Sequence, residues 1–456
     1  MQHYFLNKAL IDDAWLENVL VTVDENGVIS SLTPDSHCPA NIDRLSGLVL
    51  PSMANLHSHA FQRAMAGLAE VAEDPQDSFW TWRKQMYAMV SQLTPKQVGI
   101  IARYLYLDML KGGYTQVAEF NYLHHDIDGK IYPNDAMSEA LQDAATSVGI
   151  GQTLLPVLYT YSGFGQQAAA VMQKRFIQTT QQYLTQFSML QKRCSPLNSV
   201  GICFHSLRAV DKQQMQEVLA TLPKNLPVHI HIAEQTKEVD DCIDWSGDRP
   251  VEYLFKHFDV DPRWCLIHAT HLNEAEVTAL AASGAVAGIC PTTEANLGDG
   301  LFPAVEYLSQ NGRWGIGSDS HVSVNALEEL RWLEYGQRLI KQKRNRLSSP
   351  QQPNVGQLLW RQAAQGGAQA CAVAIGKIAV GFRADWIELK EDEWLAHLPA
   401  PQKLNRWLFS GDKNQIANVY VAGECVINNG EHVLDQQLKK QFNQVMKALT
   451  SHILDS

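Results

Sequence analysis

Eight apolar, β-prone runs recur between residues 48 and 370, beginning near Leu48, Gln116, Gly151, Val200, Val228, Cys265, Ala285 and Trp314. Amphipathic segments separate several of them, among them 95–111, 211–222 and 326–341. Strand–helix units repeated eight times over roughly 320 residues predict an α/β fold, a (β/α)8 TIM-like barrel with insertions. The runs end in polar residues: His57-Ser-His59, Asn121-Tyr122, His205-Ser-Leu-Arg208, His229-Ile-His231-Ile-Ala-Glu234, His268, Pro291-Thr-Thr-Glu294 and Asp319-Ser-His321. A barrel gathers its strand ends around one mouth, so these groups are expected to converge there.

The two chain ends differ from the middle. Residues 19–23 form a β-rich run before the turn Asp24-Glu-Asn-Gly, and residues 384–389 and 416–426 are strand-like. Residues 1–50 plus 371–456 are therefore expected to form a small composite β-sandwich domain from both termini, with the barrel over residues 51–370. The formal charge is 37 − 48 = −11, which argues against a nucleic-acid or anionic-membrane surface and requires locally placed Arg or Lys for any anionic substrate. Eight scattered cysteines with no CxxC pair fit reduced thiols. The first residues run straight into Asp12, Asp13 and Glu17 without a signal-peptide apolar core, so a soluble, cytoplasmic protein is expected.

His57 and His59, at i and i+2 on a strand, project to the same face and offer two nitrogens to a borderline Lewis acid such as zinc. In the second such pair, His231 lies nearer the strand end and is expected to be a ligand, with His229 a deeper, hydrogen-bonded barrel histidine. Asp319, ending the eighth run, supplies the counter-charge. Three histidines and one carboxylate leave one position for water. Glu234, three residues after a ligand, suits a proton shuttle, and His268 suits orientation of the nucleophile or stabilisation of developing charge. The fourth run, Val200-Gly-Ile-Cys-Phe-His-Ser, has no Lys to modify into a bridge, which favours one metal over two.

The pattern HSH, HxxE, a later His and a final Asp resembles the amidohydrolase superfamily, in its single-metal deaminase branch. The end segments Gly381-Phe-Arg-Ala-Asp385-Trp and Val419-Tyr-Val-Ala-Gly423 look like that superfamily's end domain. The motifs starting at His57, Phe79-Trp-Thr-Trp82-Arg83, His205-Ser-Leu-Arg208, Cys290-Pro-Thr-Thr-Glu-Ala-Asn296-Leu-Gly-Asp-Gly300 and Gly317-Ser-Asp319 resemble the bacterial N-formimino-L-glutamate deiminases. The resemblance implies one Zn²⁺ per chain, or Fe²⁺ or Mn²⁺ in its place, on His57, His59, His231 and Asp319. It implies proton transfer by Glu234, His268 and Asp319, and substrate contacts from Gln62, Arg83, Tyr122, His205 and Arg208. It further implies a homodimer and a reaction in histidine degradation: hydrolytic release of ammonia to leave N-formyl-L-glutamate.

The residues themselves agree with a substrate bearing two carboxylates and a formimino group. Arg208 can fork onto one carboxylate, and Arg83, in an insertion among Phe79, Trp80, Trp82 and Tyr87, can reach the other from a lid. Tyr122 and Gln62 can donate to carboxylate oxygens. Two rivals stand beside this expectation. One is a guanine, cytosine or purine-nucleoside deaminase of the same branch, for which two arginines would be wasted. The other is a non-catalytic scaffold on a hydantoinase-like fold, in which ligands should be lost.

Overall fold

The computed structural model describes residues 1–70, 79–390 and 392–454, with the side chains of 79–81 and 451–454 outside that description. The side chains of Phe79 and Trp80, quoted above around Arg83, therefore lie outside the described residues. Eight parallel strands build the barrel: Met53–Ser58, Tyr114–Asn121, Gly151–Leu158, Ile202–Ser206, Val228–Ile232, Trp264–His268, Val286–Ile289 and Arg313–Ile316. Their spatial order is their chain order, as right-handed crossovers between neighbouring parallel strands give. The second and third strands are buried at every residue, packed by the barrel lumen on one face and by helices on the other. A short strand, Asn198–Val200, pairs with the start of the third strand and hands over at Gly201 to the fourth.

The eighth strand closes onto the first through a parallel bridge between Ser58 and Asp319. Asp319 N donates to His57 O at 3.0 Å, and His59 N donates to Asp319 O at 3.3 Å. Gly317 permits this approach, since a Cβ there would stand 2.7 Å from His57 Cβ. Asn55 ties the same seam from below: its Nδ2 donates to Ser318 Oγ at 2.6 Å, and its Oδ1 accepts Ser318 N at 3.1 Å. The closure of the barrel is thus the element that brings the first and last strand ends together.

Both termini join in one seven-stranded sheet, with strands from residues 2–51 and 386–427. It encloses a core of its own, where Tyr4, Val19, Val21, Trp386 and Tyr420 pack together. The run beginning near Leu48 is divided differently from the sequence expectation. Residues 48–51 end the strand Asp43–Pro51 of this terminal sheet, and the barrel strand starts only at Met53. Pro51 has no N–H for a ladder, and one apolar stretch therefore serves two sheets in succession. The C-terminal helix Asp435–Leu454 packs back on the barrel helix Pro95–Lys111, with Phe442 stacked on Tyr104 at 4.1 Å and Lys111 paired with Asp435. All eight cysteines are free. No helix among the described residues is long and apolar enough to cross a membrane.

Arg383 bolts the terminal sheet to the barrel. Its Nε and Nη2 fork onto Asp385 at 2.8 and 2.7 Å, and Nη2 also donates to Gln116 Oε1 in the second barrel strand at 3.1 Å. Asp385 is 1% exposed. Arg383→Ala leaves that carboxylate buried without its cation and is expected to cost about 3–5 kcal/mol. A lower urea midpoint at unchanged slope measures it; an unchanged midpoint would remove the pair from the stability of the fold.

Candidate metal centre and active site

Four side chains from the ends of three strands meet at one point. His57 and His59 leave the first strand, His231 the fifth, and Asp319 follows the eighth. His57 Nε2 lies 3.0 Å from His231 Nε2 and 3.4 Å from Asp319 Oδ1, and His59 Nε2 lies 3.5 Å from the same oxygen. His59 Nδ1 donates to Phe120 O at 2.8 Å, and His231 Nδ1 donates to His205 O at 2.9 Å. Those bonds fix the tautomer and leave each Nε2 with a lone pair aimed inward. Ser58, between the two histidines, is held by Glu119 Oε2 at 2.5 Å, while Glu119 Oε1 accepts Ala60 N at 2.7 Å, so the HxH backbone is clamped on both sides.

Burial keeps these imidazoles neutral. It lowers His57 to about 3 and depresses His59 and His231 as well. Asp319 behaves oppositely: burial would raise it, but His57, His59 and His268 hold its carboxylate well below the usual range. Two inward-facing neutral nitrogens 3.0 Å apart repel unless a cation or a shared proton lies between them. A divalent ion with bonds of about 2.0–2.1 Å that takes four protein donors and a fifth, water ligand spans adjacent donors about 2.9–3.5 Å apart, as the 3.0, 3.4 and 3.5 Å measured do. Neutral nitrogens with one carboxylate suit zinc or another first-row divalent ion, so the donor set fits the group expected from the sequence.

Above the donors opens a cavity lined by His59, His231 and Asp319 on its floor and by Glu234 and His268 beside them. Glu234 Oε1 lies 3.6 Å from His268 Nε2. Burial pushes Glu234 up to about 7, and a cation at the donor cluster would bring it down again. Burial works against charge on His268, yet Glu234, Glu294 and Asp319 outweigh it and raise that ring to about 10.

The rest of the lining is cationic and aromatic. Arg83, Arg208, Gln62, Tyr122 and His205 all line the same cavity. Burial, then the nearby charges of Arg208 and Arg83, press His205 well below its usual value. Arg83 Nε donates to Tyr87 Oη at 2.7 Å, and Gln62 Nε2 donates to Tyr122 Oη at 3.0 Å. Gln62 Oε1 is buried with no partner among the described residues. A cavity lined by metal donors, acids and two guanidiniums together matches a small anion with a hydrolysable polar centre.

Residues 48–426 match the amidohydrolase family. The chain belongs to that family. A formimidoylglutamate deiminase of Pseudomonas aeruginosa is 53% identical over 455 residues, covering 98% of this chain and 100% of that protein. An 8-oxoguanine deaminase of the same species is 26% identical over 370 residues, covering 79% and 78% of the two chains. Among solved structures, an amidohydrolase from Brucella melitensis superposes with a TM-score of 0.93 at 42% identity, covering 99% of this chain and 100% of that one. An adenosine deaminase from Xanthomonas campestris with bound zinc shares the fold, with a TM-score of 0.81 at 20% identity and coverage of 99% and 98%.

Of the eleven residues given a metal, catalytic or substrate role in this amidohydrolase from its sequence, ten line the cavity, and the eleventh, His57, is 0% exposed and 3.0 Å from His231. His229 stands apart, its Nε2 donating to Ala370 O at 2.8 Å deep in the barrel. Tyr159 was missed. It follows the third strand directly, accepts from Gln173 Nε2 at 2.7 Å and Arg83 Nη2 at 3.4 Å, and packs 4.3 Å from the His205 ring. With two donors on its oxygen, its own O–H is left to give away. The strand-end rule that found the others would have found it. The backbone carries a further signal: Ala233, His268, Ala269 and Asp319 have φ of 51°, 69°, 49° and 43°. Left-handed conformations cost energy for such residues and persist at sites where the surroundings enforce them.

Proposed function

We propose that this amidohydrolase hydrolyses N-formimino-L-glutamate to N-formyl-L-glutamate and ammonia, using one divalent ion, zinc, per chain. One observation carries the reading: two arginines line the same cavity as the metal-donor cluster, in a chain matched along its length by a deiminase of that substrate class.

His57, His59, His231 and Asp319 would hold the ion, which when bound polarises the attacked centre and lowers the pKa of a water molecule toward about 7. Arg208 and Arg83 take the two carboxylates, with Tyr122, Gln62 and His205 completing the wall. Glu234 accepts a proton as water attacks the formimino carbon. His268 supports the charge that develops there. Glu234 then returns the proton to the terminal nitrogen, Asp319 relays the proton of the new hydroxyl to the same nitrogen, and the C–N bond to it breaks as the formyl C=O forms and ammonia leaves. Protonation of the other nitrogen would give glutamate and formamide instead, so the position of Glu234 selects the product.

Ammonia release from N-formimino-L-glutamate, guanine, adenosine and cytosine tests the assignment. Turnover of the first alone is expected, and Arg208→Met should lower its kcat/KM by about 10²-fold or more. Turnover of a base with no response to Arg208→Met would overturn it.

A further inference from the structure

His268 presents its two nitrogens to different partners. Nε2 lies 3.6 Å from Glu234 Oε1 and 3.9 Å from Asp319 Oδ2, while Nδ1 lies 3.3 Å from Glu294 Oε1. Glu294 stands on the helix Pro291–Leu297, just past the seventh strand, and is 2% exposed. The same Oε1 accepts the Cys290 N–H at 2.9 Å. That bond alone would make Glu294 a helix-start cap, a task that a neutral side chain performs as well. A carboxylate buried this deeply is costly unless a donor compensates its charge, and among the described residues the ring of His268 is the side-chain donor in reach. His268 also needs a holder. Its backbone is left-handed, with φ of 69°, so an ordinary strand geometry does not aim its ring.

We propose that Glu294 is the positioning residue for His268. It accepts the Nδ1 proton, fixes the rotation of the imidazole, and thereby holds Nε2 against Glu234, Asp319 and the reacting centre. The inference rests on the role given to His268 above, and it assigns Glu294 no contact with substrate. The competing account is a second metal site, because donor atoms of His268, Cys290 and Glu294 lie within 4.8 Å of one another. Burial keeps the Cys290 thiol protonated, which disfavours it as a ligand.

The test is a double-mutant cycle on kcat for ammonia release, with bound metal counted in each variant. Glu294→Ala should lower kcat by about 10²-fold, the loss expected for a misplaced group, with KM within about threefold and one ion still bound. Glu294→Gln, whose Oε1 can accept both N–H groups, should stay within about fivefold of wild type and shows that the loss is not one of folding. In a His268→Asn background, Glu294→Ala should change kcat by less than about threefold, because the residue acts only through that ring. An equal loss in both backgrounds, an unchanged kcat for Glu294→Ala, or two ions per wild-type chain with one lost in Glu294→Ala would each overturn the proposal. Wild-type protein that releases no ammonia overturns the functional reading and this inference together. Wild-type turnover matched by Glu294→Ala overturns the inference alone.

Discussion

Glu234→Gln is expected to lower kcat for ammonia release by about 10²–10⁴-fold, the range for a positioned general base and acid, with metal content unchanged. The substitution keeps the side chain's length and one acceptor oxygen, and removes only its capacity to take and return a proton. Glu234 reaches the cavity beside the donor cluster rather than within it, 3.6 Å from His268 Nε2. Its backbone N–H is held by Glu238 Oε2 at 3.1 Å, so the loop keeps its shape in the variant. Folding should not suffer. Burial pushes the Glu234 acid up to about 7 when no cation is bound, so a neutral amide removes a desolvation cost, and the melting temperature of the metal-stripped variant should hold or rise. Steady-state kcat, metal analysis and, after chelation, a thermal melt on one preparation check all three. A kcat within fivefold of wild type would remove Glu234 from proton transfer.

The barrel was legible because parallel strands covered on both faces read as continuous apolar runs, as 114–121 and 151–158 do. The donors were legible because each follows such a run, and the barrel fold converts strand ends into neighbours. What escaped has physical reasons. Leu48–Pro51 and Met53–Ser58 form one apolar stretch, and nothing in its composition separates a strand of the terminal sheet from the first barrel strand. Tyr159 has no charge to mark it, and its importance comes from partners 14 and 76 positions away. Glu294 was visible as part of a motif, but its contact with His268 spans 26 positions and depends on a left-handed turn that no local propensity predicts. Local pattern thus revealed which residues point into the mouth, while the contacts that orient them are tertiary.

Asp319→Asn should abolish both metal binding and turnover, and the reason lies in charge balance. Among His57, His59, His231 and Asp319, only the aspartate is anionic, and its Oδ1 lies 3.4 and 3.5 Å from two of the imidazoles. An amide offers a weaker oxygen donor with no charge, and the cation would then face three neutral nitrogens in a buried pocket. The backbone bonds that close the barrel, Asp319 N to His57 O and His59 N to Asp319 O, do not involve the side chain, so the variant should still fold. Binding to the native state alone stabilises it by RT ln(1 + [L]/Kd), about 4 kcal/mol at a thousandfold excess over Kd. Chelator-stripped wild-type protein should therefore regain several degrees of melting temperature and its activity when zinc is returned. Asp319→Asn should gain neither, and its kcat should fall by more than about 10⁴-fold, losing the whole contribution of the ion rather than one proton transfer. Wild-type metal content in Asp319→Asn, or full activity in stripped protein, would mean that the four donors meet for some purpose other than holding a catalytic cation.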